Sequence, residues 1–180
     1  MDSITKDEHA FLLSCIRDIP DYPKKGIIFK DITPLLQNPE ALKITTEALT
    51  RPYRGKEIDL VVGLESRGFL FGPSVAQNLG AGFIPVRKPN KLPFHKIAAS
   101  YELEYGADTV EMHSDAVKKG QRVLIHDDLI ATGGTAAAAT ELVQKLGGEI
   151  VGYSFLINLS FLNGKDKLDK NGLFEAVITL

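Results

Sequence analysis

Apolar residues first recur at helical spacing: Phe11, Leu12, Cys15, Ile16 and Ile19 share one face. Thr5 and Glu8 stand ahead of them at capping-box spacing and Pro20 stops the pattern, which predicts a first helix. Residues 20–39 carry Pro20, Pro23, Gly26, Pro34 and Pro39 around the short apolar stretch Ile27, Ile28, Phe29. That mixture predicts an irregular segment with one brief strand.

From residue 40 the pattern is regular. A helix is expected at about 40–50, followed by IDLVVGL (58–64), an apolar run bounded by charge that reads as a buried strand. ESRG comes next, then a helix ending near Gly80. Further strands are expected at Phe83 to Arg87, Arg122 to Asp127, Ile150 to Asn158 and Phe174 to Thr179. A helix from Thr135 to Leu146 is stopped by Gly147 and Gly148. Strands alternating with helices imply βαβ units, a parallel sheet covered on both faces, and ligands where strands end and helices begin.

Residues 88–106, KPNKLPFHKIAASYELEYG, hold two prolines, five charges and little clean periodicity. Connections of this length in compact domains are usually functional lids or disordered loops.

The chain has 180 residues, 44% of them hydrophobic, which suits one domain with a sizeable core. A net charge of -2 excludes a whole-molecule field that would gather nucleic acid, so any anion must be held by a local cluster. The single Cys15 cannot form an internal disulfide and reads as a small buried hydrophobe. The polar, acidic start MDSITKDEHA lacks the features of a signal peptide, and no apolar run approaches the roughly 20 residues that span a bilayer. A reduced cytoplasmic protein is the expectation.

VLIHDDLIATGGTA, Val123 to Ala136, carries the most explicit chemistry. An apolar strand runs into two carboxylates and then a Gly-rich turn that opens a helix. Gly133 and Gly134 let the backbone approach a ligand closely, and N–H groups of the first helical turn point at it. Thr132 and Thr135 add hydroxyls, and the helix dipole contributes roughly half a positive charge, so the turn suits a monophosphate. Asp127 and Asp128 would accept hydrogen bonds from vicinal sugar hydroxyls or hold Mg²⁺ through water. Phosphate beside hydroxyls means a phosphorylated sugar. The segment is neither a Walker A loop nor GxGxxG, which weakens ATPase and dinucleotide readings.

This segment resembles the signature of the type I phosphoribosyltransferases: a hydrophobic strand, two acids, then TGGT. Further blocks resemble those members of the family that act on adenine: FKDITPLL (29–36), GLESRGFLFGPSVA (63–76), RKPNKLP (87–93) and LEYG (103–106). Five blocks in the family's order are far more specific than one motif.

The resemblance implies an α/β fold with a central parallel sheet flanked by helices, forming a single domain over 1–180. A small N-terminal hood of roughly residues 1–35 and a long flexible lid at 88–106 would complete it. It implies transfer of the 5-phosphoribosyl group of phosphoribosyl pyrophosphate to adenine, giving AMP and pyrophosphate in purine salvage, with Mg²⁺ carried by the substrate. A homodimer is implied as well, in which a partner would supply Arg87.

By the same resemblance, Ala131, Thr132, Gly133, Gly134 and Thr135 bind the sugar phosphate beside Asp127 and Asp128. Glu65, Ser66 and Arg67 form a turn that binds pyrophosphate, often with a non-proline cis peptide. Arg67 follows a buried strand, where a guanidinium needs an anionic partner, and a diphosphate is favoured over a structural ion pair. Arg87, Lys88 and Lys91 would belong to the closing lid. Closure matters because water could capture an oxocarbenium-like transition state.

Glu104, next to Tyr105, is assigned proton transfer at the base; Glu102 would share its face of a strand, and only the LEYG match chooses between them. Phe29 would stack on the purine while the Ile28 and Lys30 backbones read its amino edge. Adenine's N6 donor and N1 acceptor suit backbone groups that a 6-oxopurine would leave unpaired.

Lys30 stands where many relatives carry Arg. Asn158 and Lys165 also depart from the family pattern, and neither receives a role. His126 reads as a packing residue, and His95 could touch phosphate. Two alternatives stay open: the same chemistry on hypoxanthine, guanine or orotate, and a regulator that senses phosphoribosyl pyrophosphate without chemistry. No helix-turn-helix or basic extension accompanies the site, which favours the enzyme.

Overall fold

The computed structural model describes residues 4–102 and 106–180. Helix α1 (Lys6–Ser14) opens on the expected capping box: Thr5 Oγ1 accepts from the Glu8 N–H at 3.2 Å, and Glu8 returns a carboxylate to the Thr5 N–H at 2.7 Å. The helix stops earlier than Ile16 and Ile19 suggested. Arg17–Pro20 forms β1 and pairs antiparallel with Ile28–Asp31 (β2), and that pairing outcompetes further turns of helix. Thr33–Gln37 is a short α2. Asn38 caps α3 (Pro39–Thr50) by accepting from the Glu40 and Ala41 N–H groups at 3.0 and 3.1 Å.

The remaining elements are β3 (Leu60–Leu64), α4 (Gly72–Leu79), β4 (Gly82–Val86), β5 (Lys96–Glu102), β6 (Ala107–His113), β7 (Arg122–Ile130), α5 (Gly134–Lys145), β8 (Glu149–Asn158) and β9 (Leu173–Thr179). Five strands make one parallel sheet in the order β4-β3-β7-β8-β9. All five residues of β3 are buried, as an unbroken apolar run on a two-sided sheet requires. Leu60, Val62 and Leu64 face a core shared with α5, while Val61 faces one shared with α1, α3 and α4. This is the expected fold.

Within the 88–106 segment, residues 88–102 carry more regular structure than their composition implied. Lys96–Glu102 and Ala107–His113 form an antiparallel hairpin, pairing Lys96 with His113 through Glu102 with Ala107. Ile97, Ala99 and Tyr101 alternate onto the α5 core with Val110 and Met112. The alternation exists in the sequence but is interleaved with Lys96, Ser100 and Glu102, which weakened its signal. The expected lid is thus an irregular stretch leading into a β-hairpin that packs against α5.

The chain leaves β3 through α4 toward β4 on one side, and leaves β7 through α5 toward β8 on the other. The loops after β3 and β7 therefore face each other at the switch point of the sheet, where open α/β folds form their binding crevice.

Candidate active site

The loop after β7 makes the first half of the crevice. Gly133 adopts φ 75°, and α5 begins at Gly134 with no side-chain cap on its first N–H groups. A Cβ on Gly133 would lie 2.9 and 3.1 Å from the carbonyl carbon and Cα of Gly164, and closer still to its oxygen, so only glycine fits this left-handed turn. Uncapped donors at a helix N-terminus form a ready anion site. A cavity of about 110 Å³ opens there, lined by Ala131, Thr132, Gly133, Gly134, Thr135 and Asp127 among others.

Asp127 and Asp128 end up close to this cavity but unlike each other. Asp128 is buried, and its Oδ2 lies 3.0 Å from Arg67 Nε. The contact is misaligned for a hydrogen bond, so among the described residues that oxygen has a charge partner without a hydrogen bond. Burial and the charge of Asp128 push the Asp127 carboxyl well above its ordinary range. Burial also raises Asp128, against the opposing pull of Arg67. Arg67 pairs with Asp128 alone, so the two adjacent acids repel each other, and an arriving cation would relieve that repulsion.

The loop after β3 supplies the second half. Its Glu65–Ser66 peptide is cis. Gly68 brings the loop against β7, where a Cβ would lie 2.9 Å from the His126 carbonyl oxygen and 3.1 Å from Asp127 Oδ1. The Arg67 guanidinium donates to the Lys30 carbonyl at 3.1 Å and stacks 4.8 Å from the Phe29 ring centroid. Arg67 therefore already has anionic and aromatic partners within the protein. The desolvation argument that pointed it at a diphosphate is met here by Asp128, and Arg67 ties the β1–β2 hairpin to the acid pair.

Glu65 is a hub. It accepts from Lys91 Nζ at 2.8 Å, from Arg87 Nε and Nη2 at 3.2 and 3.4 Å, and from the Lys88 backbone N–H at 2.7 Å. Burial pushes its carboxyl up, but hydrogen bonds from Arg87, Lys91 and Lys88 outweigh this and hold it at about 2. Arg87 and Lys91 thus converge on the turn. The Lys88 side chain points instead to Asp108 and Tyr101 of the β5–β6 hairpin. Glu104 and Tyr105 lie outside the described residues.

A second cavity, of about 700 Å³, lies beneath the β1–β2 hairpin. Ile28, Phe29, Lys30 and Arg67 form one side, and Leu159, Phe161, Leu162 and Leu180 form an apolar wall opposite. That wall had no assigned role in the sequence, because its residues reach the site only when β8 and β9 are placed beside β7. The Lys30 ammonium is engaged with Asp18 at 2.7 and 2.9 Å. Leu129, Ala131 and Thr132 line both cavities.

His126 is buried, with Nδ1 2.9 Å from the Ser154 carbonyl. Burial lowers it to about 4 against that hydrogen bond, so it stays neutral and packs between strands. His95 meets the Phe94 ring edge-on, with centroids 4.9 Å apart.

An anion cradle, an acid pair and a large, mainly apolar cavity meet at one switch point, an arrangement suited to a phosphorylated sugar beside a flat ring. Comparison with known families agrees: the Phosphoribosyl transferase domain matches residues 31–175, and the chain belongs to that family. Its relatives are more specific. The adenine phosphoribosyltransferase of Flavobacterium johnsoniae is 62% identical over 162 residues, covering 90% of this chain and 95% of that one. The crystal structure of adenine phosphoribosyltransferase from Rhodothermus marinus superposes with a TM-score of 0.94 at 52% identity, over 98% of this chain and 100% of that one. The Saccharomyces cerevisiae enzyme, solved with an imino-altritol bisphosphate and adenine, gives a TM-score of 0.89 at 41% identity over 96% and 99% of the two chains.

Proposed function

We propose that this chain is an enzyme that transfers the 5-phosphoribosyl group of phosphoribosyl pyrophosphate to adenine, giving AMP and pyrophosphate. The observation that carries this reading is the pair of cavities joined at Leu129, Ala131 and Thr132. One is anion-sized and lies at an uncapped helix N-terminus; the other is mainly apolar and large enough for a purine. A ribose spanning the junction puts its 5-phosphate on Ala131–Thr135, its hydroxyls on Asp127 and Asp128, and its anomeric carbon toward the base.

Adenine N9 attacks that carbon as the C–O bond to pyrophosphate breaks, and N9 gives up its proton. The family resemblance assigns the proton to Glu104, with Tyr105 beside it; such assistance is worth about 10²–10⁴-fold. Phe29 offers the stacking surface, and the Ile28 and Lys30 backbones the polar edge that suits adenine. Glu65, Ser66 and Arg67 line the pyrophosphate side, with Arg87 and Lys91 gathered there by Glu65.

Mg²⁺ fits as part of the substrate: Asp127 and Asp128 are adjacent carboxylates that would bind it through water. Its contribution is to neutralise the diphosphate. A cytoplasmic homodimer in purine salvage completes the proposal. No helix among the described residues is long and apolar enough to cross a membrane.

The test is product formation by the purified protein with phosphoribosyl pyrophosphate, Mg²⁺ and each purine base in turn, repeated with Glu104→Gln. AMP from adenine alone, with the variant slowed by about 10²-fold or more, is the expected result. Product from hypoxanthine or guanine instead would move the specificity. Absence of product despite binding of phosphoribosyl pyrophosphate would make the protein a sensor.

A further inference from the structure

Lys88 is held at two places that belong to different parts of the molecule. Its backbone N–H donates to Glu65 at 2.7 Å, which fixes the residue's main chain at the turn after β3. Its ammonium turns away from that turn: it pairs with Asp108 and donates to the Tyr101 hydroxyl at 3.1 Å. Tyr101 and Asp108 are directly cross-strand partners in the β5–β6 hairpin, and the Tyr101 hydroxyl also donates to Asp108 Oδ2 at 3.1 Å.

The other side of the Tyr101 ring meets the phosphate cradle. A Cβ placed on Gly134, the first residue of α5, would lie 2.7 Å from Tyr101 Cδ2. The Tyr101 ring therefore packs directly on the turn that carries the anion site, while its hydroxyl shares the ammonium of a residue anchored on the opposite loop. Burial disfavours the Lys88 charge, yet the hydrogen bonds to Asp108 and Tyr101 outweigh this and keep it firmly protonated. Both side chains of the ion pair remain about one-third exposed, at 35% and 31%, so the pair can be exchanged for another anion.

We infer that Asp108 and Tyr101 are positioning residues for Lys88: they hold its ammonium off the turn after β3, and a diphosphate arriving there takes the ammonium from them. Asp108 then competes with the diphosphate for one cation, and each binding event breaks the Lys88–Asp108 pair. The inference rests on reading this crevice as a site for phosphoribosyl pyrophosphate, but that reading gives Asp108 and Tyr101 no role. Its consequence is opposite in sign to that of an ordinary supporting contact, because removing Asp108 strengthens diphosphate binding.

The experiment measures inorganic pyrophosphate binding with Mg²⁺ by calorimetry for the wild type, Asp108→Asn, Tyr101→Phe, Lys88→Met and Lys88→Met/Asp108→Asn. Asparagine keeps the oxygen that accepts from the Thr109 N–H at 2.8 Å, so the hairpin end is preserved. Thermal melting checks that each variant is folded. Asp108→Asn is expected to bind about two- to fivefold more tightly, the range of a partly exposed ion pair. Tyr101→Phe keeps the ring on Gly134 and is expected to shift binding in the same direction by less.

In the Lys88→Met background the Asp108→Asn effect is expected to vanish. Unchanged or weaker binding by folded Asp108→Asn, or an equal gain without Lys88, overturns the inference. The parent reading fails separately, if the wild type makes no AMP from adenine while still binding pyrophosphate.

Discussion

Replacing Gly133 with alanine puts two separable costs on the phosphate turn. The first is conformational: φ 75° is left-handed, which costs an L-residue about 1–2 kcal/mol. The second is collision with the Gly164 backbone, whose carbonyl carbon and Cα would lie 2.9 and 3.1 Å from the new Cβ. Neither wall is a flexible side-chain tip, so the turn or the 160s segment must move by several tenths of an ångström or more. Such overpacking adds about 1–3 kcal/mol.

Gly120 is the internal control. It has φ 81° and nothing within 4 Å of an added Cβ, so Gly120→Ala carries the conformational cost alone. For a chain of this size Gly120→Ala is expected to lower Tm by about 2–8 °C, and Gly133→Ala by about twice that or more. A displaced cradle also misplaces the 5-phosphate, so kcat/KM should fall by about 10²-fold in Gly133→Ala only. Differential scanning calorimetry and steady-state AMP formation measure both. Equal melting temperatures for the two variants, or full activity in Gly133→Ala, would refute the close approach of Gly164 as the reason for glycine here.

Asp127→Asn should trade activity for stability. Because burial and Asp128 raise the Asp127 carboxyl, the folded chain holds a proton that the unfolded chain has lost, so stability falls as pH rises across that interval and stays lower above it. The variant escapes this cost: at neutral pH it should melt a few degrees higher than the wild type while losing most of its activity, and an unchanged or lower Tm counts against the buried-pair argument. Glu65→Gln should raise KM for phosphoribosyl pyrophosphate severalfold by loosening Arg87 and Lys91. Its stability effect has the opposite pH sense, since a carboxyl lowered from 4.5 to about 2 stabilises above the higher value and loses that contribution as pH falls toward 2. Melting curves of wild type and variant should therefore converge in acid.

Local sequence decided much of this molecule. The capping box at Thr5 and Glu8, the all-apolar β3 and the TGGT turn into α5 each act within a few residues, through hydrogen bonds and backbone preferences that spacing reveals. The parallel fold followed from their alternation. Partnership across the chain was another matter. The β1 strand overrode a helical pattern because Arg17–Pro20 found a partner in Ile28–Asp31, and β5 was obscured until β6 paired with it.

The base-sized cavity shows the same division. Phe29 stood out by family resemblance, but Leu159, Phe161, Leu162 and Leu180 became its opposite wall only through the β7-β8-β9 register. Likewise the spacing of Arg67, Lys88 and Glu65 named three charged groups without saying which would meet. Long flexible side chains reach several partners from one backbone position, so only the packed structure chose Asp128 for Arg67, Asp108 for Lys88, and the Arg87 and Lys91 side chains for Glu65.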